Sequence, residues 1–219
     1  MKLEQLIESL STDVTKTRRS RSPSQLLTWM VPLLVIYLVL AQFVLGFRPD
    51  IELQLRSFSF IAELFLLFAL LASSLIGAVA LAYPDLKQKK HVITIPMTLC
   101  VCLVLLGAIQ LIALPTPTEV LPEVAQFLAL NHTIECTLAI ALVSALPGIL
   151  LFALVRRGAS VKPGLAGSYI VMASASFGAL TLRLAESNDS LAHLLCWHYL
   201  PVVVVFFIGA ELGKRLFKW

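Results

Sequence analysis

The sequence predicts an all-α fold: a polytopic membrane bundle of six transmembrane helices behind a short cytoplasmic N-terminal amphipathic helix. Three observations carry this prediction. Of 219 residues, 58% are hydrophobic and only 14% charged, with a mean hydropathy of +0.89, whereas soluble domains carry about 25% charged residues. Such a chain cannot clothe a water-soluble globule, and it is too apolar to be disordered. Six stretches are long and apolar enough to cross a bilayer, which takes roughly 20 residues. The basic residues between those stretches fall overwhelmingly on one side.

Residues 1–24 form a separate polar head. Leu3, Leu6, Ile7, Leu10 and Val14 recur at i, i+3, i+4, i+7 and i+11, with Glu4, Glu8 and Asp13 on other faces. That spacing predicts an amphipathic helix with a leucine stripe. A helix of about 12 residues is marginal alone in water, so its apolar face calls for a partner. One partner is the bilayer surface. Surface-binding helices, however, carry Lys and Arg on their polar faces, and this one carries acids. A protein groove that accepts a helix fits better. The basic run Thr17–Arg21 then precedes the membrane, suited to topology and anionic headgroups. No cleaved signal peptide is expected, because the apolar run that follows is too long for one.

The membrane domain is expected to occupy residues 25–219. Its spans are Leu26–Phe47, Phe58–Tyr83, Val92–Leu114, Ile134–Val155, Gly164–Leu184 and Leu200–Phe217. Span five is crowded with small residues, from Gly164 and Gly167 to Gly178 and Ala179. Small faces allow close helix contact, which predicts a central place in the bundle. Pro32, Pro96, Pro147 and Pro201 are candidate kinks, with Pro147-Gly148 the expected break in span four. The third connector, Pro115–Thr133, is the longest, and Val120 to Leu130 could lie as a helix at the interface.

Fourteen of the 17 basic residues belong to the head, to the 87–90 and 156–162 connectors, or to the tail; Arg48, Arg56 and Arg183 take the other side. The positive-inside rule then places both termini in the cytoplasm. In a bacterium the membrane would be the inner one. The formal net charge of +4 reflects this topology and no nucleic-acid partner.

The opposite side holds the candidate signal-reading residues. His132 and Cys136 stand at i, i+4 at the entry of span four. His193, Cys196 and His198 lie just before span six. Thiolate with imidazole suits zinc, copper or cadmium. A Cys136–Cys196 disulfide is open on the same side, and so is simple packing of buried thiols. Cys100 and Cys102 are read as packing residues within span three. Glu63, Arg183, Glu186 and Glu211 are ionisable groups in or beside spans, hence functional candidates, though each could snorkel or pair locally. Arg183 with Glu135 or Glu63 is a candidate interhelical pair.

No phosphate loop, GxSxG elbow or HExxH helix is present, and no cofactor is called for. An enzyme is not expected. A small transporter or permease remains the rival reading, and it predicts a polar cavity lined by Glu63, Arg183 and Glu211. A ligand-free scaffold is a third.

Several motifs together resemble the NrsF family of bacterial inner-membrane anti-sigma factors, named for negative regulation of sigma F. The head Leu6-Ile7-Glu8-Ser9-Leu10 is similar to that family's "LIxxL" helix, and Arg21-Ser22-Pro23 with Trp29 to its lead into span one. Leu154-Val155-Arg156-Arg157-Gly158-Ala159, then Pro163 and Gly167, resembles its "LRRGAxxxPxxAG" connector. Trp197-His198-Tyr199 and Gly213-Lys214-Arg215-Leu216-Phe217-Lys218-Trp219 resemble its closing motifs. The resemblance implies an inner-membrane protein whose cytoplasmic N-terminus binds an extracytoplasmic-function sigma factor, with the lipid bilayer as its other partner, and releases it on envelope, oxidative or metal stress. It also implies two signal-perceiving cysteines on the periplasmic side. Cys136 matches the first. The second would fall near Ala185-Glu186, where this sequence has no cysteine, and Cys196 lies ten residues further on.

Overall fold

A computed structural model describes residues 8, 22–83, 90–112, 130–158, 160 and 162–217. Six stretches of helix are long and apolar enough to cross a membrane, and no strand occurs among the described residues. The helices are α1 (Pro23–Leu45), the short α2 (Ile51–Gln54), α3 (Phe58–Leu81), α4 (Lys90–Ile112), α5 (Leu130–Val155) and α6 (Pro163–Arg183). The last crossing is composite: α7 (Leu191–His193) runs through a π-helical turn, Leu194–Tyr199, into α8 (Leu200–Leu216).

The start of α1 is written in sequence. Ser22 Oγ accepts from the Gln25 amide at 3.3 Å while Gln25 Oε1 accepts from the Ser22 amide at 3.1 Å. This is a capping box, with Pro23 in the first turn where its missing N–H costs nothing. The helix ends at Gly46, whose φ of 79° is unfavourable for any residue with a Cβ. The chain then turns, and the Arg48 amide donates to the Leu184 carbonyl at 3.0 Å.

Helix α6 is the centre, as its small residues predict. Nearly every residue from Ala166 to Arg183 is buried, and α3, α5 and α8 all pack on it. Three of its hydroxyls are satisfied within the helix: Ser174, Ser176 and Thr181 each donate to the carbonyl four residues back at 2.8 Å. That is how a polar side chain is tolerated in an apolar interior. Against α8 the backbones meet. A Cβ on Gly167 would stand 2.6 Å from Gly213 Cα, and one on Gly209 would stand 2.6 Å from the Gly167 carbonyl. Gly209 and Gly213 form a small-xxx-small pair. Ser168 Oγ crosses the same seam to the Phe206 carbonyl at 2.8 Å.

Helix α1 lies at the periphery, joined to α6 by Tyr37 stacked on Phe177, with ring centroids 5.6 Å apart, and by Gln42 Nε2 donating to the Thr181 carbonyl at 2.6 Å. Trp29, Phe43, Phe65, Ile109, Leu142 and Phe207 are all exposed, on five different helices. An apolar exterior all round the bundle suits hydrocarbon as its solvent.

Three expectations need correction. Helix α5 does not break at Pro147-Gly148 but runs unbroken to Val155; neighbouring helices compensate a proline within a bundle. Cys102 is exposed and not packed inside, whereas Cys100 is buried. The sixth crossing begins nine residues earlier than Leu200, so His193, Cys196 and His198 lie within helix and not before it. The interfacial helix expected at Val120–Leu130 lies outside the described residues, except for Leu130 at the start of α5.

Candidate functional site

Polar side chains concentrate at the end of the bundle where α1 finishes, called here the distal end. Two adjoining clusters share one connector, residues 184–190.

The first is an ion-pair network. Arg48, 1% exposed, is gripped by two carboxylates. Its Nε and Nη2 donate to Asp50 at 2.8 Å each, and its Nη1 and Nη2 donate to Asp189 at 2.9 and 2.6 Å. Such forked contacts are the strong form of the ion pair. Arg183, at the end of α6, donates from Nε to both Glu63 oxygens at 2.9 Å and holds Asp189 with Nη1 at 2.7 Å. Phe60 lies against both guanidinium groups, its ring centroid 5.4 Å from Arg48 Cζ and 4.8 Å from Arg183 Cζ. Gln54 Nε2 donates to Asp189 at 2.9 Å. The first connector, α3, α6 and the 184–190 connector are thereby tied into one knot. Asp50 is held well below the usual carboxylate range by its hydrogen bonds from Arg48. For Asp189 burial acts upward, but the hydrogen bonds from Arg48 and the ion pair with Arg183 outweigh it, and the carboxyl is lowered. Of the two pairs considered for Arg183, the one with Glu63 forms.

The second cluster is Cys136, Glu186, His193 and His198. The Cys136 thiol donates to Glu186 Oε1 at 3.1 Å. His193 Nε2 stands 3.3 Å from Glu186 Oε1, and His198 Nε2 stands 3.3 Å from Glu186 Oε2. Both imidazoles are 1% exposed, while Cys136 and Glu186 are half-buried. The two Nε2 atoms approach the carboxylate out of hydrogen-bonding line and have no hydrogen-bond partner. Burial acts to raise the Glu186 carboxyl, but His193, His198 and Cys136 outweigh it and hold it well below the usual range.

The π turn explains the pairing of the histidines. Residues five apart on an α-helix point about 140° apart. A π turn, with its i→i+5 repeat, brings them to one face, and the two rings meet edge-on with centroids 5.2 Å apart. Ser190 caps α7, its Oγ accepting from the His193 amide at 3.4 Å, and Thr137 Oγ1 ties α5 to the π turn through the Trp197 carbonyl at 3.2 Å. Glu186 lies in the stretch near which the family resemblance placed a second cysteine, and it does touch Cys136. Neither Cys136 nor Cys196 is in a disulfide, so the bridge considered between them is not formed.

The other sequence candidates fall elsewhere. Cys196 is half-buried and outside this cluster. His132 lies in helix α5, but its side chain is outside the described residues. Leu3, Leu6, Ile7, Leu10 and Val14 are also outside them; their neighbour Glu8 is helical and exposed. Glu211 is exposed at the opposite end, paired with Arg215 at 2.8 Å. The polar cavity of the transporter reading is therefore not assembled by these groups. A cavity of about 530 Å³ between α5, α6 and α8 is lined almost wholly by apolar side chains, with Ser144 and Ser174 among its few hydroxyls. The reading of the sequence missed the roles of Arg48, Asp50 and Asp189. Opposite charges in two short connectors were the signal that could have found them.

Fold and site together define a six-span helical protein with a tightly bound polar cap at one end. The family profile described as NrsF, "Negative regulator of sigma F", matches residues 10–219. The chain belongs to the NrsF family, whose name implies a sigma factor as partner. Comparison with curated proteins and with solved structures gave no match.

Proposed function

We propose that the chain is a membrane-embedded anti-sigma factor that holds an extracytoplasmic-function sigma factor away from RNA polymerase through the head at residues 1–24. The observation that carries this reading is the family match across residues 10–219, on a chain with six spans and one amphipathic head. In this reading Leu3, Leu6, Ile7, Leu10 and Val14 form the stripe that enters a groove on sigma. Glu4, Glu8 and Asp13 keep the helix off anionic lipid. The bacterial inner membrane holds the bundle with both termini cytoplasmic, so the distal end faces the periplasm and meets envelope stress. Cys136 and Glu186 are the groups through which the distal end reads that stress. The signal shifts the bundle between binding and releasing states, which requires different affinity for the two.

A bacterial two-hybrid assay of the full chain against the extracytoplasmic-function sigma factors of its own genome tests the head. Interaction is expected from the native chain and not from Leu6→Asp with Leu10→Asp. An interaction that survives both substitutions removes the groove model.

A further inference from the structure

We propose that Cys136, Glu186, His193 and His198 form a binding site for a borderline divalent cation of the zinc type, and that this cation is the ligand read at the distal end. Its consequence for transcription rests on the function proposed above; the binding itself does not.

The donor set is the first argument. One thiolate, one carboxylate and two imidazoles suit zinc and its neighbours, and not magnesium or calcium, which take oxygen shells. All four donor atoms lie within 4.8 Å of one another. A tetrahedral shell with bonds of about 2.0–2.3 Å has ligand atoms roughly 3.3–3.8 Å apart. The Cys136–Glu186 approach at 3.1 Å and the two Glu186–histidine approaches at 3.3 Å are already near that spacing.

The two imidazoles are the second argument. His193 and His198 are buried, and their Nε2 atoms converge on the cluster without a hydrogen-bond partner. Buried polar atoms left in this way call for an explanation, and a bound cation supplies one. The fold spends a π turn to bring them there, and such turns cluster at functional sites.

Charge and access agree. Binding takes the proton from the Cys136 thiol and releases it to solvent. Thiolate and carboxylate then balance the two positive charges, and a neutral site is the kind that persists beside an apolar bundle. A cleft of about 470 Å³ lined by Leu45, Glu135, Cys136, Leu182, Glu186 and Asn188 leads to the thiol and the carboxylate. The ligands come from α5, the 184–190 connector, and the α7–π segment. A cation would pull these three together, and Asp189 in the same connector would carry the movement to Arg48 and Arg183.

Cobalt(II) titration of the purified full chain in detergent, followed by absorption spectroscopy, is the test. One equivalent is expected to give the visible bands of tetrahedral cobalt with a sulfur-to-cobalt charge-transfer band, and zinc(II) to displace it. Cys136→Ser should abolish the charge-transfer band, and Glu186→Gln should weaken binding at least tenfold, since even outer-shell changes cost about 10–100-fold. Cys102→Ser and Cys196→Ser should leave the spectrum unchanged. No charge-transfer band in the native chain, or one that persists in Cys136→Ser, overturns the site. No sigma factor is present in this measurement, so its failure leaves the anti-sigma reading standing. A chain that binds cobalt but does not bind sigma keeps the site and removes that reading.

Discussion

Glu63 and Arg183 sit within the bundle, their side chains 5% and 4% exposed, and reach one another across α3 and α6. Removing one partner of a buried pair leaves an uncompensated charge, at a cost of about 3–5 kcal/mol. Glu63→Gln or Arg183→Met is therefore expected to lower the thermal midpoint in detergent strongly. Glu63→Leu with Arg183→Leu should cost less than either single change. A double variant as unstable as the sum of the singles would refute the pairing. Asp50 and Asp189 give a pH dependence. Both carboxyls are lowered in the folded chain, so their contribution is complete above the unfolded value of about 3.9. It is lost as pH falls through the lower folded values. Melting curves should thus stay level from neutral pH to about 5 and drop in stronger acid, and Asp189→Asn should flatten that drop. The residue pairs themselves were only partly legible. Arg183 with Glu63 could be paired by depth in the membrane. Cys136 with Glu186 could not, because their contact joins positions 50 apart in sequence through a connector whose path only packing decides.

The six crossings were legible because each is a continuous apolar run, and the chain's basic residues punctuate them. Their ends agree with the sequence reading to within a few residues, except where polar residues continue as helix. Leu191–Tyr199, capped by Ser190, contains two histidines and a tryptophan. Hydropathy stops at Leu200, but backbone hydrogen bonding does not. A π turn leaves no periodic mark in six residues, and that hid the alignment of His193 with His198. The seam between α6 and α8 was half legible: the small residues of span five stand out, while Gly209, behind a run of valine and phenylalanine, and Gly213, among the charges of the tail, carry no such pattern. That seam makes a sharp prediction. Gly213→Val should push the backbones apart, costing more than the 1–3 kcal/mol typical of overpacking. Gly164→Ala meets nothing closer than 3.4 Å and should melt within about 0.5 kcal/mol of the native chain.

At the scale of the whole molecule, the arrangement is polarised. The polar groups that bind one another tightly lie at the distal end, the middle is apolar around a largely buried α6, and α1, which the head precedes in sequence, starts at the other end. Communication between the ends must run through the bundle, and α6 is the element that touches most of it. Its distal end carries Arg183, bound to the same connector as Glu186. Its other end meets α8 at Gly213. Cutting the distal knot with Arg48→Gln should therefore change how a distal signal alters repression, measured as the induction ratio of a sigma-dependent reporter; an unchanged ratio would place the coupling elsewhere. The central claim is that the full chain represses a sigma factor through its head. Its most direct test is a sigma-dependent reporter in cells expressing the sigma factor with either the native chain or Leu6→Asp with Leu10→Asp, at equal membrane abundance. A silent reporter is expected with the native chain and an active one with the variant. A reporter that stays silent with the variant, or active with both, would contradict it.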